Sequence, residues 1–352
     1  MDLRLSVLDQ SPIPEGSTGA DALRNTIDLA GLAEELGYHR YWVAEHHGTP
    51  GLASASPEAL IGPIAATTPR IRVGSGGVML PHYSPLKVAE TFSALSGLFP
   101  GRIDLGFGRA PGTDPMTTFA LQRDRQTPSP DDFPEQMAEL LGYLNHELPA
   151  AHPFARLSAT LPGLPERPEP WLLGSSPQSG IWAAQLGLRY AFADFINSGG
   201  AEIGDRYRAE FAQSAGAELP GPVLAVAAWA ICAETEEQAE RLASSSRMMM
   251  RLLADGRLIA VPPVETALRF LASRGSAPAG PRERRRRAII GDPEQVRAAL
   301  EAVALEYGAE ELMVVTITHD HDARRRSYEL IAEAFGLTRS VAPRWWAQEI
   351  TG

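Results

Sequence analysis

The sequence has a single cysteine, Cys232, so no intrachain disulfide can form. A reducing compartment suits such a chain, and the cytoplasm is its expected location. No apolar run reaches the roughly 20 residues that a membrane-spanning helix needs. Met1-Asp2-Leu3-Arg4-Leu5 begins with strand-like alternation rather than a basic stretch followed by an apolar one, so no signal peptide is expected. Lysine is nearly missing too, with Lys87 the only one. Acidic residues outnumber basic ones by 43 to 32, a net charge of -11, which argues against general nucleic-acid binding and needs no explanation beyond solubility. No Gly-x-Gly-x-x-Gly follows the first strand-like segment, which weakens a dinucleotide-binding reading.

What is present is a regular alternation of strand and helix signals. Hydrophobic residues make up 44% of the chain and charged ones 21%, ordinary for a globular protein. Strands are expected at Leu3–Leu8, Tyr38–Ala44, Ile71–Met79, Arg102–Gly108, Trp171–Gly174, Arg189–Ala193, Pro222–Cys232 and Glu311–Thr318. Helical periodicity separates them. The helix from Ala20 should stop at Gly37, and another should open at Ser56-Pro57-Glu58. Eight strands alternating with helices favour an α/β fold of the (β/α)8 TIM-barrel type, one domain over residues 1–352. Residues Ala110 to Asp132 read as a long loop. Residues 254–287 form a Pro-, Gly- and Arg-rich insertion before the last βα unit, with a short helical piece after Pro262-Pro263, and are expected to be an exposed, mobile lid loop.

The residues just past the strand ends are the candidates for chemistry, because a TIM barrel carries function at that face. Val43-Ala44-Glu45-His46-His47 ends the second strand with two imidazoles and a carboxylate. Three readings stay open: a metal site, a general base with an orienting carboxylate, or local capping of the strand. Adjacent strand residues face opposite ways, which disfavours a shared metal. Gly74-Ser75-Gly76-Gly77 marks a bulge or the close approach of a ligand or another backbone. Arg109 follows the fourth strand, where a guanidinium can grip a phosphate. Gly174-Ser175-Ser176-Pro177-Gln178-Ser179 leads from the fifth strand into a helix, a motif that suits either plain capping or a phosphate. His319-Asp320-His321 is read as a solvated loop, Arg284 to Arg287 as a solvated basic loop, and Cys232 as a buried small residue.

In order and spacing these segments resemble the bacterial luciferase-like flavin monooxygenases, single-chain members rather than true luciferases. The motifs Val43 to His47, Arg72 to Val78, Gly106-Phe107-Gly108-Arg109 and Trp182 to Leu188 carry the resemblance, which spans Leu3 to Phe335. It implies reduced FMN at the C-terminal mouth, supplied by a separate flavin reductase, and reaction with O2 at the flavin C4a. The resulting peroxyflavin would oxygenate a small organic substrate. It further implies that Gly76 and Gly77 flank the ring and are joined by a cis peptide, that Arg109, Ser176 and Ser179 hold the phosphate, and that His46 is catalytic, with no metal. Ser175, Asp194 and Gly108 depart from the true luciferases, away from light emission and long-chain aldehydes. A homodimer and a tailoring step in secondary metabolism are expected. The competing readings are a deazaflavin-dependent hydride-transfer dehydrogenase on the same barrel and a non-catalytic flavin-binding protein.

Overall fold

The computed structural model describes residues 3–109, 114–122, 131–211, 219–274 and 288–338. In chain order its elements are β1 (Arg4–Asp9), α1 (Gly19–Leu36), β2 (Arg40–Val43), α2 (Pro57–Thr67), β3 (Arg72–Met79), α3 (Pro85–Leu98), β4 (Ile103–Gly108), α4 (Pro115–Leu121) and α5 (Phe133–Asn145). There follow β5 (Glu169–Gly174), α6 (Pro177–Gln185), β6 (Arg189–Ala193), α7 (Ala201–Glu210), β7 (Leu224–Cys232), α8 (Glu236–Ala254) and α9 (Val264–Arg274). The last are β8 (Ala288–Gly291), α10 (Pro293–Tyr307), β9 (Glu311–Val315) and α11 (His321–Phe335). The helix ends obey local chemistry. Thr18 and Asp21 form a capping box at α1, and Gly37 closes that helix at φ 85° as expected, a left-handed position glycine adopts without penalty.

Parallel pairing runs from β1 through β7 to β9 and back to β1, closing an eight-stranded (β/α)8 barrel. The ninth strand, β8, was not expected. It lies outside the ring and pairs with the C-terminal half of β7, from Trp229 to Cys232. Most strands divide their residues between two apolar layers. In β7, Leu224, Val226, Ala228, Ala230 and Cys232 join the outer layer under the helices, and Ala225, Ala227, Trp229 and Ile231 join the inner cluster. Both faces are buried, the normal state of a parallel sheet covered by helices.

The long loop expected from Ala110 to Asp132 contains the short helix α4; residues 110–113 and 123–130 lie outside the described residues. The expected lid segment contains the short helical piece read within it. Val264–Arg274 is α9, and Val261 is fully buried with its N–H donated to Ile13 O at 2.8 Å while Glu15 N–H donates to Val261 O at 2.7 Å. These bonds fix residues near 261 against the loop after β1. Residues 275–287, with the Arg284 to Arg287 run, lie outside the described residues. Among the described residues no helix is long and apolar enough to cross a membrane.

The inner residues at the strand starts are charged. Arg40 Nη1 donates to Asp104 Oδ2 at 2.8 Å and to Glu169 Oε1 at 2.9 Å, and its Nε to Glu311 Oε1 at 3.1 Å. Arg72 Nε donates to Asp104 Oδ1 at 2.9 Å, and Arg189 lies 3.2 Å from Glu169. Two indoles cover this network. Trp42 Nε1 donates to Asp104 at 2.9 Å and Trp171 Nε1 to Glu169 at 3.0 Å, with the rings edge-to-face at 5.3 Å. Burial works against the charge on Asp104, but Arg40 and Arg72 outweigh it and hold its carboxyl below the usual range.

Asp104→Asn leaves Arg40 and Arg72 short of a buried counter-charge and should cost about 3–5 kcal/mol in urea unfolding near neutral pH. Because the Asp104 pKa is lowered in the fold, its contribution is present above the carboxylate range and lost as the pH falls through the lowered value. The gap between wild type and variant should therefore narrow below about pH 4. A gap that stays constant down to acid unfolding would mean that the charge on Asp104 is not what the barrel needs.

Candidate active site at the barrel mouth

Beyond β2 the chain separates its two histidines. Glu45 is buried, and its carboxylate accepts the Met79 N–H at 3.0 Å and the Tyr83 hydroxyl at 3.0 Å, and pairs with His47 Nε2 at 2.7 Å. One side chain thus ties the end of β2 to the end of β3 and to the short 3-10 turn that follows it (Leu80–His82). The carboxylate of the motif therefore orients the second histidine, His47. His47 also meets His82 edge-to-face, ring centres 6.1 Å apart. Burial, then the charges of Glu45 and Glu58, push the Tyr83 hydroxyl far up, so it stays a proton donor to Glu45. Glu58 is itself raised, by burial and then by Glu45.

His46 lies two residues past Ala44, a member of the inner cluster. Its N–H donates to Ser54 O at 2.8 Å, and Ser54 Oγ donates to Gln10 O at 3.1 Å. Ala53 N–H donates to Ser11 O at 2.8 Å. The loops after β1 and β2 are laced together, which fixes the half-buried His46 at the rim.

Gly76 and Gly77 are joined by a cis peptide, as the resemblance implied. The register of β3 against β4 shifts between Ser75 and Val78, across this pair. A Cβ on Gly76 would run into Leu8 and Trp42, and one on Gly77 into the backbone of Gly106. Glycine is required here for close approach inside the ring.

Past β4, the Arg109 guanidinium stands 5.8 Å from the centre of the Trp182 ring on α6 and 3.7 Å from Asp131. Arg109 is more than half exposed. Ser176 caps α6 by accepting the Ser179 N–H at 3.4 Å. The Ser179 hydroxyl donates to Ser176 O at 2.7 Å and meets the Tyr190 hydroxyl at 2.8 Å, so it turns toward the core and steadies the helix start. Pro177 follows the cap at the first turn of the helix. The structure therefore brings Arg109 and α6 together, with β3 between them and His46 in the order of the ring.

Other candidates are accounted for locally. Asp320 caps α11, His321 pairs with Asp28 at 2.8 Å, and His319 contacts Glu15 O at 3.2 Å. Cys232 is buried in the outer layer, and burial pushes its thiol up to about 12, too high for a nucleophile near neutrality. Tyr83 and the charged floor of the barrel gave no local motif. A phenol two residues beyond Pro81 looks like loop, and inward charges at six strand starts become visible only when the strands are aligned.

A closed (β/α)8 ring with a histidine, a glycine pair and an arginine at the C-terminal ends of its strands is the site arrangement of a barrel enzyme. A family model described as luciferase-like monooxygenase matches residues 3–311. The chain belongs to the luciferase-like monooxygenase family. The N-acetyl-S-alkylcysteine monooxygenase of Bacillus subtilis is 40% identical over 335 residues, 94% of this chain and 98% of that one. The solved structure of apo-MsnO8 superposes with a TM-score of 0.86 at 42% identity, covering 96% of this chain and 100% of that one. A type II Baeyer–Villiger enzyme, the oxygenating constituent of 3,6-diketocamphane monooxygenase from Pseudomonas putida, was solved with FMN. It shares the fold, with a TM-score of 0.68 at 19% identity over 95% of this chain and 97% of that one.

Tyr83→Phe removes a hydroxyl donated to the buried Glu45 carboxylate, and should lower stability by about 1.5–3 kcal/mol in urea titration. An unchanged midpoint would mean that Met79 and His47 hold Glu45 without help.

Proposed function

We propose that this chain is an FMN-dependent monooxygenase that takes reduced FMN from a separate reductase and works as a homodimer. The observation that carries this reading is Arg109 at the end of β4, its guanidinium over the Trp182 ring of α6, with Gly76 and Gly77 on the neighbouring strand β3. The donor set fits the group. A phosphate needs a guanidinium and free helix N–H groups, and a planar ring needs a surface without side chains. Arg109, Ser176 and the first turn of α6 would hold the phosphate, with Ser179 keeping that turn in place. Gly76 and Gly77 would lie against the ring. When bound, reduced FMN supplies the two electrons that O2 needs to deliver one oxygen atom to an organic substrate.

The protein's own tasks are orientation, proton handling and exclusion of water. His46, its backbone fixed through the N–H to Ser54, would hold or move a proton at the substrate oxygen. Glu45 and His47 set the shape of the rim behind it. Ile259 and Val261, tied to the loops after β1 and β2, would help keep water from the site.

Arg109→Ala should weaken reduced-FMN binding by about 1.5–3 kcal/mol in an anaerobic titration. The same titration with a reduced deazaflavin decides between oxygenase and hydride-transfer readings: tight binding of the deazaflavin with none of FMN would overturn the proposal. His46→Ala should bind reduced FMN normally while product per flavin falls by roughly 10²–10⁴-fold. Unchanged product yield would make His46 structural.

A further inference from the structure

The barrel contains three inward indoles, and they are not equivalent. Trp42 and Trp171 donate to Asp104 and Glu169. Trp229 is 6% exposed, and its Nε1 has no hydrogen-bond partner among the described residues. Its position is set by the alternation of β7, which turns it to the inner cluster. Trp229 pairs with Val315 of β9, whose other neighbour in the ring is β1. Leu8 of β1 belongs to the same inner cluster as Trp229, and Leu8 is a side chain that abuts Gly76. Trp229 stands across the ring from β3.

Its surroundings are apolar and adaptable. Helix α8 contributes Ala243 and Met249 to the same cluster, with Met250, Ile259 and Leu52 packed against it. Ser245, fully buried on α8 one turn from Met249, has a hydroxyl that also lacks a partner among the described residues. A buried donor without an acceptor is costly, and proteins keep few of them. An indole offers one neutral N–H and no acceptor, so its complement is a neutral oxygen rather than an anion or a cation.

We propose that Trp229 determines specificity: its Nε1–H donates to a carbonyl-type oxygen on an otherwise apolar substrate held between the glycine pair and α8. This deepens the reading of the mouth as the oxygenation site and rests on it. The substrate class is then a neutral, largely hydrocarbon molecule with one hydrogen-bond acceptor near the reacting carbon. Donation to a carbonyl would hold that carbon in one orientation and draw electron density from it.

The test uses two probes of the same shape, cyclohexanone and methylenecyclohexane, titrated calorimetrically into flavin-free wild type and Trp229→Phe. Wild type should prefer the ketone by about tenfold, and the variant should bind both probes alike. The variant should melt at or above the wild-type temperature, because the donor it loses satisfied nothing in the protein. A wild type that does not discriminate, a variant that still prefers the ketone, or a marked drop in melting temperature would each overturn the assignment. The reduced-FMN titration is read separately, so the probe comparison decides the role of Trp229 whichever way the flavin titration falls.

Discussion

Arg40 is the residue on which the barrel turns. It reaches three carboxylates from three other strands, and with Arg72 and Arg189 it balances them charge for charge. Buried ion pairs are weak evidence of net stability, since desolvation offsets most of their attraction. Their value here is geometric. Each carboxylate has an orientation fixed by arginine, and two of them in turn fix the indoles of Trp42 and Trp171. A charged layer closes one end of the ring, an aromatic plate covers it, and whatever binds must do so from the opposite end.

At that opposite end the strands give up their side chains. Gly76 and Gly77 are glycines because Leu8, Trp42 and Gly106 leave no space for a Cβ. The rim above is stiffened by a carboxylate. Glu45 gathers the Met79 amide, the Tyr83 hydroxyl and His47, and the loops after β1 and β2 bond to each other beneath His46. Polar groups brought together on a rigid frame need little rearrangement when a ligand arrives.

The fold was legible because period and punctuation agreed. Gly37 and Pro57 mark helix boundaries by backbone rules that act locally, and both stand where those rules place them. The register shift at Gly76-Gly77 was legible for the same reason. What was hidden depends on distant partners. Nothing near Glu45 says that it serves His47, because Tyr83 and Met79 come from another strand and the turn beyond it. The four residues of β8 look like the tail of a loop, and they become a strand only because β7 outlasts its neighbours in the ring. Val261 reads as part of a Pro-rich insertion, and only the loop after β1 makes it core.

The extra length of β7 divides the molecule into parts that can change independently. As far as Trp229 it is a stave of the ring, and its register with β9 is fixed by closure. From Trp229 onward it is a mast standing above the ring, with β8 beside it and α8 leaning inward over the opening. Substitutions in the stave disturb every neighbour around the circle. Substitutions in α8, or insertions between α8 and β8, reshape only the roof of the chamber. One barrel can in this way keep its floor and its rim while the roof is rebuilt to admit different molecules.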